Sequence, residues 1–167
     1  MSILKGLKMQ RKFRNIMNNI SSFEDIIIKN YKKNYINLDK KCVFVTGMPR
    51  SGTTIITQTL SKHGDFASYD YSDLPFTKIP YLWSKFKKIY YFKNKAFERV
   101  HGDKLKIDLD SPDAFEELIW SENINNYKES LYRYLDSNFN NSSLEDDLLR
   151  NINKLLLIKK KKYLIIK

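Results

Sequence analysis

Thirteen consecutive residues concentrate the chemistry of this chain: Cys42-Val43-Phe44-Val45-Thr46-Gly47-Met48-Pro49-Arg50-Ser51-Gly52-Thr53-Thr54. A short apolar run breaks into a glycine-bounded turn that carries one cation and ends in hydroxyl side chains. That is the pattern of an anion cradle. A buried parallel strand delivers the chain into a tight loop, Gly47 and Gly52 let the backbone approach closely, and the next helix points its unpaired N–H groups at the anion. The Gly-x-x-x-x-Gly spacing matches the nucleoside-triphosphate loop, but the Lys and Ser/Thr that should follow are here Thr53 and Thr54. ATP chemistry uses that lysine to bridge phosphates and the next hydroxyl to hold magnesium, so the loop argues against ATP hydrolysis and phosphoryl transfer. Arg50 supplies the charge instead, as a planar fork of donors that needs no metal. Met48 and Pro49 shape the turn. Ser51, Thr53 and Thr54 add hydroxyls to the cradle, with plain helix capping as the alternative role.

The segment Val45-Thr46-Gly47-Met48-Pro49-Arg50-Ser51-Gly52-Thr53-Thr54 resembles the 5′-phosphosulfate loop of sulfotransferases that use 3′-phosphoadenosine-5′-phosphosulfate, in the form typical of the Golgi and bacterial branches. Three further blocks resemble the bacterial members: Ala67 to Phe76 with Pro80-Tyr81-Leu82-Trp83, Glu98 to Asp103, and Asp110 to Trp120. The likeness thus covers residues 42–120. It implies an α/β fold of the P-loop type, three layers with a parallel sheet flanked by helices. It also implies 3′-phosphoadenosine-5′-phosphosulfate as co-substrate, a hydroxyl acceptor such as a carbohydrate, and no metal. Cofactor contacts then fall to Gly47, Met48, Pro49, Arg50, Ser51, Gly52, Thr53 and Thr54, with Arg50 also catalytic. The base is an acid after the first helix; Asp73, preceding Leu74-Pro75-Phe76, is preferred to Asp70. In the family, the strand after the long helical insertion leads to an Arg and a Ser for the 3′-phosphate. No such pair follows Lys162-Tyr163-Leu164-Ile165-Ile166-Lys167, so the expectation is an N-terminal fragment whose C-terminal part, with half of the cofactor site, is missing. A P-loop nucleotide kinase or NTPase, and a non-enzymatic anion-binding remnant, are the competing readings.

The chain has 167 residues and a net charge of +11, enough length for one domain with a real core. The excess is lysine in a sequence also rich in Asn, Ile and Tyr. A basic field attracts a polyanionic cofactor or glycan, but no zinc knuckle, helix-turn-helix or RNA-binding aromatic motif accompanies it, so no nucleic-acid partner is expected. Cys42 is the only cysteine and is expected to pack at the start of a strand. No apolar stretch reaches the length of about 20 residues that spans a bilayer, and residues 1–20 lack a secretory core, which points to the cytoplasm.

Two parts follow: a basic helical segment over 1–40 and the loop-bearing domain over 41–167. In residues 1–20, Leu4, Leu7, Phe13, Ile16, Met17 and Ile20 recur near helical spacing, suited to packing on the domain or to peripheral membrane contact. A second helix is expected over 22–34, burying Ile26, Ile27 and Tyr31. After the loop a helix over 53–63 should turn Ile55, Ile56 and Leu60 to the sheet and end on a left-handed Gly64. Residues 65–83 read as loop, with Phe76, Tyr81 and Trp83 available to a sugar face or to the core. Ser111-Pro112 starts a helix with Phe115, Leu118 and Ile119 inward. Ser142-Ser143-Leu144-Glu145 is a capping box opening a helix with Leu144, Leu148, Ile152 and Leu155 on one face. The Lys159 to Lys162 run reads as a solvated helix end, and 162–167 as a strand. His63 suits a helix end, and His101 an acceptor pocket. Asp108, Asp110, Asp113, Glu116 and Glu117 could suggest a metal, but the last three better suit the N-terminus of a helix.

Overall fold

Leu164 and Ile165 are both buried, because the strand that carries them lies between two others. In a computed structural model, which describes residues 12–28, 42–48, 50–90, 97–98, 106–124 and 139–167, the protein is mixed α/β. It has a small open sheet of three parallel strands and five α-helices among the described residues. In chain order the elements are α1 (Arg14–Ile27), β1 (Cys42–Phe44), α2 (Thr53–Ser61), β2 (Phe66–Ala67), a 3₁₀ turn (Tyr71–Asp73), α3 (Pro80–Tyr90), β3 (Phe97–Glu98), β4 (Lys106–Ile107), α4 (Glu117–Asn123), α5 (Ser142–Lys159) and β5 (Tyr163–Ile166). β3 and β4 form a separate antiparallel pair.

Sheet order is β1-β5-β2. β5 pairs Leu164 with Cys42, Ile165 with Val43 and Ile166 with Phe44 on one side, and Tyr163 with Phe66 and Leu164 with Ala67 on the other. The Val45 N–H continues the first ladder by donating to the Ile166 carbonyl at 2.8 Å. A central parallel strand is covered on both faces and needs a continuous apolar run, which Leu164-Ile165-Ile166 provides. The buried strand expected before the loop is instead an edge: Cys42 and Val43 are half-buried and Phe44 is exposed.

Around β5 the core gathers Ala67, Tyr69, Tyr71, Leu74, Phe115, Ile119, Leu144, Ile152, Leu155 and Leu156. α5 supplies the expected Leu144, Ile152 and Leu155, with Leu148 packed against them. Its cap is Asn141 rather than Ser142, the Asn141 side chain accepting from the Leu144 N–H at 3.0 Å. α4 starts at Glu117, later than Ser111-Pro112 suggested, because residues 109–113 are tied by backbone hydrogen bonds and one bridge to residues 69–72. Tyr71 N–H donates to the Ser111 carbonyl, Ser72 N–H to that of Leu109, and Asp113 N–H to that of Tyr69. Phe115 and Ile119 are nevertheless buried and Leu118 half-buried, as its spacing implied.

α2 turns Thr57 inward, whereas Ile55 and Ile56 are exposed, contrary to the expected stripe. This helix packs against β2 and β5, and Thr57 rather than the isoleucines faces that contact. Gly64 is not a left-handed cap; the turn after α2 is closed by the His63 N–H on the Leu60 carbonyl, and His63 Nδ1 accepts from the Asp65 N–H at 3.3 Å. α1 runs without a break through the boundary expected near residue 21 and exposes Ile26 and Ile27. Tyr31, residues 1–11 and His101 lie outside the described residues. No helix among those described is long and apolar enough to cross a membrane.

Leu164 has no exposed surface and touches both neighbouring strands through its ladder. Leu164→Ala should lower stability by about 2–5 kcal/mol, read as a lower urea midpoint by circular dichroism.

Candidate functional site

The loop leaves β1 at Val45 and reaches α2 at Thr53. The loop folds closely over Gly47: a Cβ there would stand 2.5 Å from Ser51 Oγ and 3.0 Å from Thr53 Cγ2, so a larger residue would displace the Ser51 hydroxyl. Gly52 has φ 89°, a left-handed conformation that side chains resist, and it forms the N-cap of α2. Between them the Ser51 N–H donates to the Met48 carbonyl at 3.0 Å, closing a tight turn, and Arg50 adopts φ 69°. Thr46, Gly47, Met48, Arg50 and Ser51 are exposed; Pro49 lies outside the described residues. No side chain caps α2 and no acid lies in its first turn, so the positive end of its dipole faces the loop.

The parallel register brings the last residue of the sequence to this helix end. Lys167, directly after β5, places Nζ 3.0 Å from Thr54 Oγ1 and 2.9 Å from Asp113 Oδ1. Tyr71 donates its hydroxyl to the other Asp113 oxygen at 2.6 Å. Burial raises the affinity of Asp113 for its proton, but the Tyr71 and Lys167 hydrogen bonds outweigh it and hold the carboxyl below its usual range. Beside it, Glu116 accepts the Lys167 N–H at 2.7 Å. Desolvation dominates at Glu116 and pushes its pKa up to about 7. Sequence reasoning placed Asp113 and Glu116 only as helix-terminal charges and left Lys167 without a role. Their link to the loop depends on strand order, which spacing does not reveal.

Asp70 and Asp73 are brought together, in the segment after β2. They form a reciprocal cap of the 3₁₀ turn: Asp70 Oδ1 accepts from the Ser72 N–H at 3.0 Å, and Asp73 Oδ2 from the Asp70 N–H at 3.1 Å. Lys159 enters from the end of α5 and binds the Ser68 carbonyl at 2.5 Å, Asp70 at 2.6 Å and Asp73 at 2.9 Å. It is therefore a buried tie, not part of the solvated lysine run expected there; the cap of α5 is the left-handed Lys160. Lys87 reaches Asp73 Oδ1 at 3.3 Å and Ser72 Oγ at 3.0 Å. Burial pushes the Asp73 carboxyl up, but Lys159 and Lys87 prevail and hold it below the usual range. Burial and the neighbouring Asp73 charge push Asp70 up.

Trp83 belongs to the core: its indole N–H donates to the Ser72 carbonyl at 2.8 Å and its ring meets Phe76 edge-on. Tyr81 is half-buried beside Lys85. The described residues contain no group of three His, Cys, Asp or Glu able to hold a metal ion.

Two buried charges give distinct readouts. Lys159→Met leaves the Asp70 and Asp73 carboxyls without their shared cation, and the loss should be about 3–5 kcal/mol, the scale for breaking a buried pair from one side; urea unfolding at neutral pH measures it. Glu116 has a folded pKa raised from 4.5 to about 7, so the native state binds the extra proton and stability falls as pH rises across that window. Glu116→Gln should match the parent near pH 5 and exceed it near pH 8 by on the order of 2 kcal/mol, seen as a smaller drop in urea midpoint between those two conditions.

Comparison with protein-family models, curated proteins and solved structures found no match, so the geometry of the loop and its cations is what a functional reading rests on.

Proposed function

We propose that this chain carries the donor-binding part of a sulfotransferase, on a P-loop-type three-layer α/β fold. The group moved is a sulfuryl from 3′-phosphoadenosine-5′-phosphosulfate, and the acceptor is a hydroxyl, with carbohydrates as the acceptor class. The observation that carries this reading is the position of Lys167. In a triphosphate site, magnesium sits between the loop hydroxyl and an acidic partner. Here an ammonium from the chain lies between Thr54 Oγ1 and Asp113 Oδ1. With Arg50 exposed at the crest of the loop, two protein cations flank one helix N-terminus. The order β1-β5-β2 and the loop at the carboxyl end of β1 support the architecture, since open parallel sheets bind ligands at that edge.

The residues fit an oxyanion of this kind. Backbone N–H groups between Met48 and Thr54, apart from Pro49, which has none, and Ser51, which closes the turn, would hold the 5′-phosphosulfate together with the Arg50 guanidinium and the hydroxyls of Ser51, Thr53 and Thr54. The bound donor supplies an activated sulfuryl group whose departure leaves charge on a phosphate. Arg50 and Lys167 provide positive charge where that charge accumulates, and preorganised donors of this type act without reorganising. Asp113 pairs with the Lys167 ammonium and holds it against Thr54. Asp73 is buried with Lys159 on Oδ2 and Lys87 on Oδ1, so as the base it would take the proton of the acceptor hydroxyl through Oδ1, with the acceptor displacing the more distant Lys87. Its lowered pKa keeps it ionised at neutral pH at the expense of proton affinity.

Calorimetric titration distinguishes this site from a nucleotide kinase or NTPase. 3′-Phosphoadenosine-5′-phosphate should bind equally with and without magnesium, and Arg50→Ala should weaken it by about tenfold to a hundredfold while abolishing sulfuryl transfer to a sugar hydroxyl. Tight binding of ATP that requires magnesium would overturn the reading. Anion binding with no transfer activity in the parent would leave the non-enzymatic alternative.

A further inference from the structure

α1 has its polarity reversed relative to an ordinary surface helix. The face toward the domain carries Met17, Ser21, Glu24 and Ile28, all buried. Both acids of the helix are neutralised there. Lys154, itself buried, reaches Glu24 at 2.8 Å and Asp25 at 2.9 Å, and Arg150 reaches Asp25 at 3.2 Å. Glu24 also accepts the Leu82 N–H at 2.7 Å in the first turn of α3, which fixes the rotation of α1 about its axis.

That rotation turns the apolar residues outward. Ile16, Ile20, Phe23 and Ile27 recur at i, i+4, i+7 and i+11 and so share one face, with Ile26 at its border. Ile16 is 53% exposed, Phe23 59%, Ile26 67% and Ile27 41%. The polar residues around them on the outer side are Lys12, Asn15, Asn19 and Ser22, with no acid among them. The sequence ahead of Lys12 adds Lys5, Lys8 and Arg11, and residues 1–20 contain no Asp or Glu.

We infer that the outer face of α1 seats the protein on an anionic lipid surface, its isoleucines and Phe23 entering the headgroup boundary and Lys12 beside them facing the lipid phosphates and carboxylates. An exposed apolar stripe of this kind marks an interaction surface. Its flanking charge selects the occupant. Apolar residues beside an excess of Lys and Arg are the signature of interfacial helices, and each basic residue near an anionic leaflet adds to the attraction. A second copy of the chain would instead bring a second set of cations to a face that offers no acid to receive them.

Vesicle sedimentation tests this with the full chain. The protein should pellet with vesicles containing phosphatidylserine and far less with phosphatidylcholine alone, and added salt should weaken the binding. The double substitution Phe23→Asp with Ile27→Asp should reduce partitioning by about tenfold or more, with an unchanged urea midpoint because both side chains are exposed. Lys12→Glu should reduce it by a smaller factor without touching the apolar stripe. The inference fails if the parent ignores phosphatidylserine vesicles, or if the double variant partitions as the parent does. It also fails if light scattering shows a parent dimer that the same two substitutions dissolve, since the stripe would then be a protein interface.

Discussion

The insertion of β5 between β1 and β2 decides most of what this chain can do. Parallel neighbours cannot be joined by a hairpin, so the central strand has to come from elsewhere in the sequence through a crossover. Here α5 makes that return, packing along α3 and α4 before delivering Tyr163 to the sheet. Because β5 runs parallel to β1, its carboxyl end emerges beside the loop that follows β1. Lys167 therefore meets Thr54 across a sequence separation that no local motif spans. Without β5, β1 and β2 share no hydrogen bonds, and the loop loses both its scaffold and its second cation.

Among the described residues, buried ion pairs join elements distant in sequence. Lys154 ties α5 to α1, Lys78 ties the approach to α3 to Glu122 of α4 and Asp147 of α5, and Lys159 ties the end of α5 to the segment after β2. Buried ion pairs contribute little net stability compared with apolar replacements, yet removing one partner is costly. Such contacts therefore constrain which packing arrangement is adopted more than they deepen it. For α1 the constraint is visible. Hydrophobicity alone would turn the isoleucines inward, and the Glu24 and Asp25 contacts with Lys154 turn them out.

What was legible in the sequence was local. Gly47 and Gly52 read as positions for glycine, but for different reasons: Gly52 adopts a left-handed backbone, whereas Gly47 leaves room for the Ser51 and Thr53 side chains. The helical stripe of α5 and the strand at 163–166 read correctly because their neighbours are apolar and their period is strong. The failures share a cause. Ile55, Ile56, Ile26 and Ile27 were assigned inward by type, but which face of a helix is covered depends on the partner, and here the partners prefer Thr57 and Glu24. Lys159 reads as part of a solvated run and Lys167 as a strand end with no role, because nothing in a linear sequence shows which carboxylates a fold will bring within reach.

The backbone at Arg50 bears on the choice between an anion seat and a merely structural turn. A left-handed conformation at a residue with a side chain costs about 1–2 kcal/mol, and glycine would remove that cost. The turn from Met48 to Ser51 and the helix start at Gly52 hold Arg50 there. A structural turn has no use for a guanidinium at its strained crest, where the side chain is exposed and Ser51 supplies the closing hydrogen bond through its backbone. Strain kept at a charged residue beside an uncapped helix end is the arrangement expected of a ligand clamp. Under the proposed reading, the anion would compensate the cost of that conformation by engaging the guanidinium and the adjacent amides together. Lys167 completes this logic from the opposite side: Asp113 balances its charge at rest, and an incoming oxyanion would compete for the ammonium that already touches the loop hydroxyl.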